Sequence, residues 1–345
     1  MNFIDLRSDT VTYPTPAMRR AMAEAEVGDD VYGEDSTVNR LQEIAAGKLG
    51  KEAGLFVVSG TMGNLTAILT HCQRGDEVIL GNKSHTFLFE AGGMSALGGV
   101  HPCQLPDQPD GTLDLAGIRS AIRENDDHEP ISRLIALENT HNRCGGVALS
   151  LEYSRSVGEL ARQHDLQVHL DGARLFNAAA ALGTSAKRLA EPADSVTFCL
   201  SKALCAPVGS VLCGSEAFIR SARRIRKQLG GGMRQAGVLA AAGIIALDEM
   251  VDRLAEDHQR AAKLAAGLAG TAGLALDPGT PFTNMIFMSL SEEHTNLLAG
   301  DVAGALREMK ILVGVVGERS FRLVTHYWID DQAVDMTLAA FRKVL

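Results

Sequence analysis

The sequence predicts an open α/β fold: a mostly parallel sheet covered by helices on both faces, followed by a smaller α+β domain. Three observations predict it. Short apolar runs alternate with helical patterns through the first two-thirds of the 345 residues. Runs such as "SVTFCLS" are apolar at successive positions rather than at every second one, as strands buried on both faces require. After about residue 248 the alternation gives way to a few strands and helices in mixed order. The expected division is therefore 1–247 for an N-terminal arm and large domain, and 248–345 for a small C-terminal domain.

In chain order, "GLFVVSG" is a strand and "TMGNLTAILTHC" the helix that follows it. "EVILG" and "RLIALENTH" are the next strands, then the helix "LEYSRSVGELARQHD". "QVHLDGAR", "SVTFCLS" and "GSVLCGS" are three more strands, and "EAFIRSARRIRKQLG" is a basic amphipathic helix. "AGVLAAAGIIAL" (236–247) is too short to span a bilayer and, rich in Ala and Gly, suits a packed interior helix. Beyond it come a charged helix from residue 248, strands at "TNMIFMSL", "ILVGVV" and "SFRLVTHYWI", and two further helices.

Composition narrows the function. With 46% hydrophobic and 22% charged residues the chain has the balance of a folded globular protein. A net charge of −9 gives no basic field for nucleic acid or anionic membrane, so small-molecule chemistry is the expectation. Asp5, Arg7 and Asp9 stand where an export signal would need an apolar core, which predicts a cytoplasmic protein. None of the six cysteines forms the C-x-x-C pair of structural zinc sites, and no metal is expected.

Ligands of open α/β sheets gather beyond the carboxyl ends of the strands, so the polar residues closing each run are the candidates. In "VVSGTMGN" a strand turns into a helix, and the amides of Gly60, Thr61 and Met62 can cradle a phosphate. A plain N-cap explains the same turn, and the lysine of a P-loop is missing. Asp171 ends "VHLD" and either caps the next helix or holds a cation such as a protonated pyridine nitrogen. Lys202 ends the following run, inside a nearly uncharged stretch where an amine must be paired, solvated or chemically engaged. Together these supply an amine for an aldehyde, an acid for a ring nitrogen and N–H donors for a phosphate, the requirements of a pyridoxal phosphate site. His85 and His141 lie in strand-end loops, where an imidazole can cover a ring or exchange a proton with a hydroxyl.

The segments "IDLRSDTVTYPTPAM", "GDDVYGED", "SGTMGNL", "LENTHN", "HLDGARLFNA", "APVGS" and "GGGMRQAG" together resemble the low-specificity L-threonine aldolases, and the resemblance extends to "FRLVTH" near the C-terminus. These are pyridoxal phosphate enzymes of the aspartate aminotransferase fold, fold type I, with a seven-stranded large domain. The resemblance implies that Lys202 binds the cofactor covalently, Asp171 partners its ring nitrogen, His85 stacks on the ring, and Gly60 and Thr61 form part of the phosphate cup. Ser8, Arg174 and Arg322 would hold the substrate carboxylate, Arg174 being also close to the cofactor, and His141 would sit near the β-hydroxyl. It further implies an obligate dimer, commonly a dimer of dimers, in which a neighbour's Lys227 and Arg234 reach the cofactor phosphate and Tyr32 lies near the shared site. Without the resemblance, Lys227 and Arg234 read as a basic helix end and a flexible Gly-rich loop.

The implied reaction is retro-aldol cleavage of L-threonine, L-allo-threonine or a related β-hydroxy-α-amino acid to glycine and an aldehyde. His85, His141 or a water between them would take the hydroxyl proton. Another fold type I lyase or racemase would share Lys202 and Asp171, and a non-catalytic cofactor- or nucleotide-binding protein would share the phosphate turn. One departure stands out: relatives read "SKGLGAPVGS", whereas here Ala203 and Cys205 replace both glycines. A positive φ at either position would strain the side chain now there.

Overall fold

The computed structural model describes residues 3–345. By contact the chain forms two units: Pro14–Val251, and a smaller one made of the segment ending at Tyr13 with Asp252–Leu345. The N-terminal arm therefore belongs with the small unit, and the division falls at 251/252 rather than 247/248. The cause is the strand β1 (Ile4–Leu6), which pairs in parallel with residues 311–313.

The large unit holds β2 (Ala53–Val57), β3 (Asp76–Gly81), β4 (His101–Leu105), β5 (Ile131–Glu138), β6 (Gln167–Asp171), β7 (Ser195–Cys199) and β8 (Ser210–Gly214). They form one sheet in the order β2-β8-β7-β6-β5-β3-β4, in which β8 is antiparallel to both its neighbours and the remaining pairs are parallel. Every position of β3, β7 and β8 is buried, including the polar Asp76, Glu77, Ser195, Thr197 and Ser210. Each large side chain there, such as the fully buried Phe198, contributes about 1.5–3 kcal/mol relative to exposure. In this sheet the strand missed from the sequence is β4, "HPCQL". It is half exposed at the sheet edge and pairs only with β3, the setting in which a strand carries proline and lacks an apolar run.

Helix Gly60–His71 lies against the sheet closely enough to need its glycines. A Cβ on Gly63 would come within 2.5 Å of Thr197 Cγ2, and one on Gly60 within 2.9 Å of Cys199 Sγ. The run "AGVLAAAGIIAL" is the helix Gly237–Ile245 and a π-turn, packed on helices Pro16–Ala23 and Ser36–Leu49.

The smaller unit carries β9 (Leu274–Leu276), β10 (Met285–Leu290), β11 (Ile311–Val315) and β12 (Ser320–Val324). Its sheet order is β1-β11-β12-β10-β9. Helices Leu254–Ala269, Ala299–Glu308 and Asp331–Val344 contribute, with the sheet, to a core that includes Leu264, Leu268, Phe321 and Phe341. The charged helix expected from residue 248 begins at Leu254.

Candidate active site

The topology of the large sheet brings the closing residues of five strands to one edge. Because β2 and β7 both run antiparallel to β8, they point the same way, and β3, β5 and β6 run parallel to β7. The turn at Ser59, Gly60 and Thr61 therefore follows β2 at the edge where His85 follows β3, His141 follows β5, Asp171 ends β6 and Lys202 follows β7. Glu138 and Asp171 are register partners on adjacent strands.

Ser59 caps helix Gly60–His71, its hydroxyl accepting from Met62 N–H at 3.1 Å. Gly60 and Thr61 open the first turn, whose amides have no partner within a helix. One turn later Asn64, buried, donates from Nδ2 to Asp171 Oδ2 and to Glu90 Oε1, both at 2.9 Å. Asp171 Oδ1 accepts from Ala173 N–H at 3.0 Å. Glu90 Oε1 also meets His85 Nδ1 at 2.9 Å, so His85, Glu90 and Asp171 form one tight cluster around the Asn64 amide. Glu138 pins the surrounding loops, accepting from His85 N–H at 2.6 Å and Asn142 N–H at 2.9 Å.

The hydrogen bond to Glu90 raises the His85 pKa above its ordinary value; burial opposes this, the Asp171 charge adds to it and Lys202 opposes it, which places Lys202 in electrostatic reach of the ring. Burial pushes the Glu90 carboxyl up, and the like charge of Asp171 adds to that. His141 is held differently. Its Nε2 lies 3.0 Å from Asp107 Oδ1, with both side chains 2% exposed. Burial works against its charge, yet Asp107, with Cys144 and Glu138 nearby, pushes it up to about 10.

Cys205 occupies the left-handed region at φ 64 and is fully buried, so the glycine replaced here was one the backbone favours. Ala203, at the other replaced glycine, is buried and has no positive φ. Arg174 is buried just past the end of β6. In the "GDDVYGED" loop Asp29 accepts from Arg234 Nη1 at 2.9 Å, and buried Asp30 accepts from Arg226 Nη2 at 2.6 Å. Tyr32 on this loop is 76% exposed, and Lys227 is exposed as well. Ser8 and Arg322 belong to the smaller unit. There Ser8 caps a short 3-10 turn by accepting from Thr10 N–H, and Arg322 Nη2 donates to Arg7 O at 3.2 Å.

Sequence reasoning missed Asn64 and Glu90 as site residues, and singled out Glu138 only as one of the polar residues closing β5, without a role. Each had a signal: a polar side chain on the sheet-facing side of an apolar helix, an acid five residues past a candidate histidine, and an acid closing a buried strand.

The mostly parallel seven-stranded sheet flanked by helices is that of the fold type I class of pyridoxal phosphate enzymes. Residues 5–292 match the family model described as beta-eliminating lyase. A low-specificity L-threonine aldolase from Arabidopsis thaliana is 49% identical over 348 residues, covering 100% of this chain and 97% of that one. Among solved structures, Leishmania major threonine aldolase superposes with a TM-score of 0.84 at 24% identity, over 99% of this chain and 100% of that chain. "SPT with PLP internal aldimine" does so at 0.76 and 18%, over 99% and 87%. The chain belongs to the beta-eliminating lyase family and, within it, to the low-specificity L-threonine aldolases.

Proposed function

We propose that the protein is a pyridoxal phosphate-dependent aldolase that cleaves L-threonine, L-allo-threonine and related β-hydroxy-α-amino acids to glycine and an aldehyde. The observation that carries this reading is the hydrogen-bonded cluster of Asp171, Asn64, Glu90 and His85 within electrostatic reach of Lys202, in a chain of this family.

The residues fit the cofactor. Asp171 is a buried carboxylate oriented by two N–H donors, the kind of acceptor that a cationic ring nitrogen needs. The close approach of Gly60 to Cys199 leaves no room for a side chain beneath the candidate phosphate turn. When bound, pyridoxal phosphate supplies an aldehyde for the amino group and a ring that accepts the electron pair of the broken Cα–Cβ bond. Lys202 offers the amine that anchors it, Asp171 holds a proton at the ring nitrogen, and Gly60 and Thr61 offer amides to the phosphate.

His85 is the better proton acceptor for the β-hydroxyl. Glu90 engages its Nδ1, which leaves Nε2 for a ligand, and its side chain is 31% exposed. His141 is closed in with Asp107 and charged at neutral pH. Ser8, Arg174 and Arg322 are proposed to hold the substrate carboxylate, for which a guanidinium fork is suited. Tyr32, Lys227 and Arg234 are proposed to complete the site of a neighbouring subunit in a dimer of dimers, a reading their exposed positions support. Among the described residues no helix is long and apolar enough to cross a membrane; the proposed location is the cytoplasm.

The test is product analysis with purified protein. L-Threonine or L-allo-threonine should give glycine and acetaldehyde, and Lys202→Ala should lose both turnover and the visible band of bound cofactor. Ammonia and a keto acid in place of aldehyde would identify a different lyase.

A further inference from the structure

A second set of polar residues lies under the site, away from the carboxyl ends of the strands. His71 Nε2 is 2.8 Å from Ser195 Oγ, and Ser195 Oγ is 2.9 Å from His169 Nδ1. His169 Nε2 is 3.1 Å from Asn64 Oδ1, and Asn64 Nδ2 reaches both Asp171 and Glu90. The chain runs without a gap from the end of helix Gly60–His71, through the first residue of β7 and the middle of β6, back to the same helix one turn in. Ser195 and His169 are fully buried and Asn64 nearly so.

Donor and acceptor roles follow from one end. The NH2 side of Asn64 donates to the carboxylate oxygens of Asp171 and Glu90. Its carbonyl then faces His169, whose Nε2 must carry the proton. A neutral His169 has an unprotonated Nδ1, so the Ser195 hydroxyl donates to it, and the Ser195 oxygen in turn accepts from His71 Nε2–H. Every donor in the chain points toward the two carboxylates. His169 is fully buried and His71 part-buried, and loss of solvation pushes His169 down to about 4 and His71 to about 3, which keeps both neutral.

We propose that Asn64 is a positioning residue for this active site: its forked NH2 holds the acid facing the ring nitrogen and the acid facing His85 in one arrangement, and the His71–Ser195–His169 chain keeps the amide turned that way. Without the fork, two carboxylates that share a dry pocket repel each other. Glu90 then takes a proton or turns away, and His85 loses the anion that orients Nδ1. Asn64 thereby couples cofactor binding at Asp171 to proton transfer at His85, although it touches neither the reacting bond nor Lys202 in this scheme. The inference rests on the aldolase reading above.

The experiment compares wild type, Asn64→Leu, Ser195→Ala and Glu90→Gln by pyridoxal phosphate dissociation constant after apoenzyme reconstitution, and by the pH profile of kcat/KM for L-threonine. Hydrogen bonds to charged groups are worth enough that Asn64→Leu should bind the cofactor about tenfold or more weakly. The rising acid limb of the profile should move to lower pH, as in Glu90→Gln, because the groups left around His85 are a protonated Glu90, Asp171 and Lys202. Ser195→Ala, which cuts the chain far from the cofactor, should move both readouts in the same direction by about two- to fivefold in affinity, the size of one neutral hydrogen bond. If Asn64→Leu does not fold, Ser195→Ala decides. Wild-type affinity and an unmoved limb in the folded variants, while Glu90→Gln moves it, would overturn the proposal and leave the aldolase reading intact. A wild-type protein that neither binds the cofactor nor releases aldehyde would instead overturn the reading beneath it.

Discussion

Two histidine–carboxylate pairs stand at the same edge of the large sheet, and they differ in almost nothing but their surroundings. His85 meets Glu90 at 2.9 Å and His141 meets Asp107 at 3.0 Å. Yet the first imidazole is 31% exposed and shares its acid with Asn64, while the second is 2% exposed and is paired with an acid equally buried. The half-open pair leaves one ring nitrogen for a ligand and a pKa raised by the Glu90 hydrogen bond against the opposing influences of burial and Lys202. The closed pair is a buried ion pair, locked protonated through neutral pH. Bond length does not distinguish a proton-transfer group from a structural one here; access does.

Exchange of the two histidines for asparagine separates these roles most widely. His85→Asn should lower kcat by about 10²- to 10⁴-fold, the usual worth of a positioned general base, with the melting temperature nearly unchanged. His141→Asn removes the cation paired with the buried Asp107 side chain, which keeps only the Lys83 N–H among the described residues, and should cost about 3 kcal/mol of stability, with a smaller effect on kcat in the protein that remains folded. Steady-state kinetics beside denaturant unfolding reads both, and a His141 variant that is stable but inactive would reverse the assignment.

The pH dependences sharpen the contrast. The base form of His85 exists above its pKa, so kcat/KM should rise with pH through that value, and Glu90→Gln, which removes the largest raising influence, should shift the rise to lower pH. His141 has a folded pKa above its unfolded one, so its contribution to stability is complete below the unfolded value near 6.5 and is lost as pH climbs through about 10. Unfolding measured at pH 7 and pH 10 should show that loss in wild type and a flatter profile in His141→Asn.

Much of this edge was legible in the sequence because the buried strands were. Apolar runs marked β2, β3, β5, β6 and β7, and residues closing each became candidates without any knowledge of strand order. What stayed hidden depended on contacts between distant elements. Asn64 gains its meaning from Asp171 and Glu90, residues 107 and 26 positions away. Strand β4 had no apolar signature because only one side of it is paired, and the N-terminal arm changed units because three residues pair with a strand about 300 positions later. His85 and His141 looked alike for the same reason, since burial is not written in a strand-end loop.

The smallest expected effect lies beside Lys202 and should leave both histidine pairs untouched. Cys205 holds φ 64, where a side chain costs roughly 1–2 kcal/mol, yet its sulfur is fully buried and fills space that glycine would empty. Cys205→Gly relieves the backbone, loses the sulfur's packing and gives the unfolded chain more freedom to lose, so the net change should stay within about 1 kcal/mol. Cys205→Ala keeps the strained φ and still empties the sulfur's place, and should be the worse substitution by about 1 kcal/mol despite being the smaller change. Denaturant unfolding of the three proteins tests the order. Alanine as stable as glycine would mean that φ 64 carries no strain in this loop, and a shifted acid limb in either variant would mean that the loop reaches His85 through Lys202.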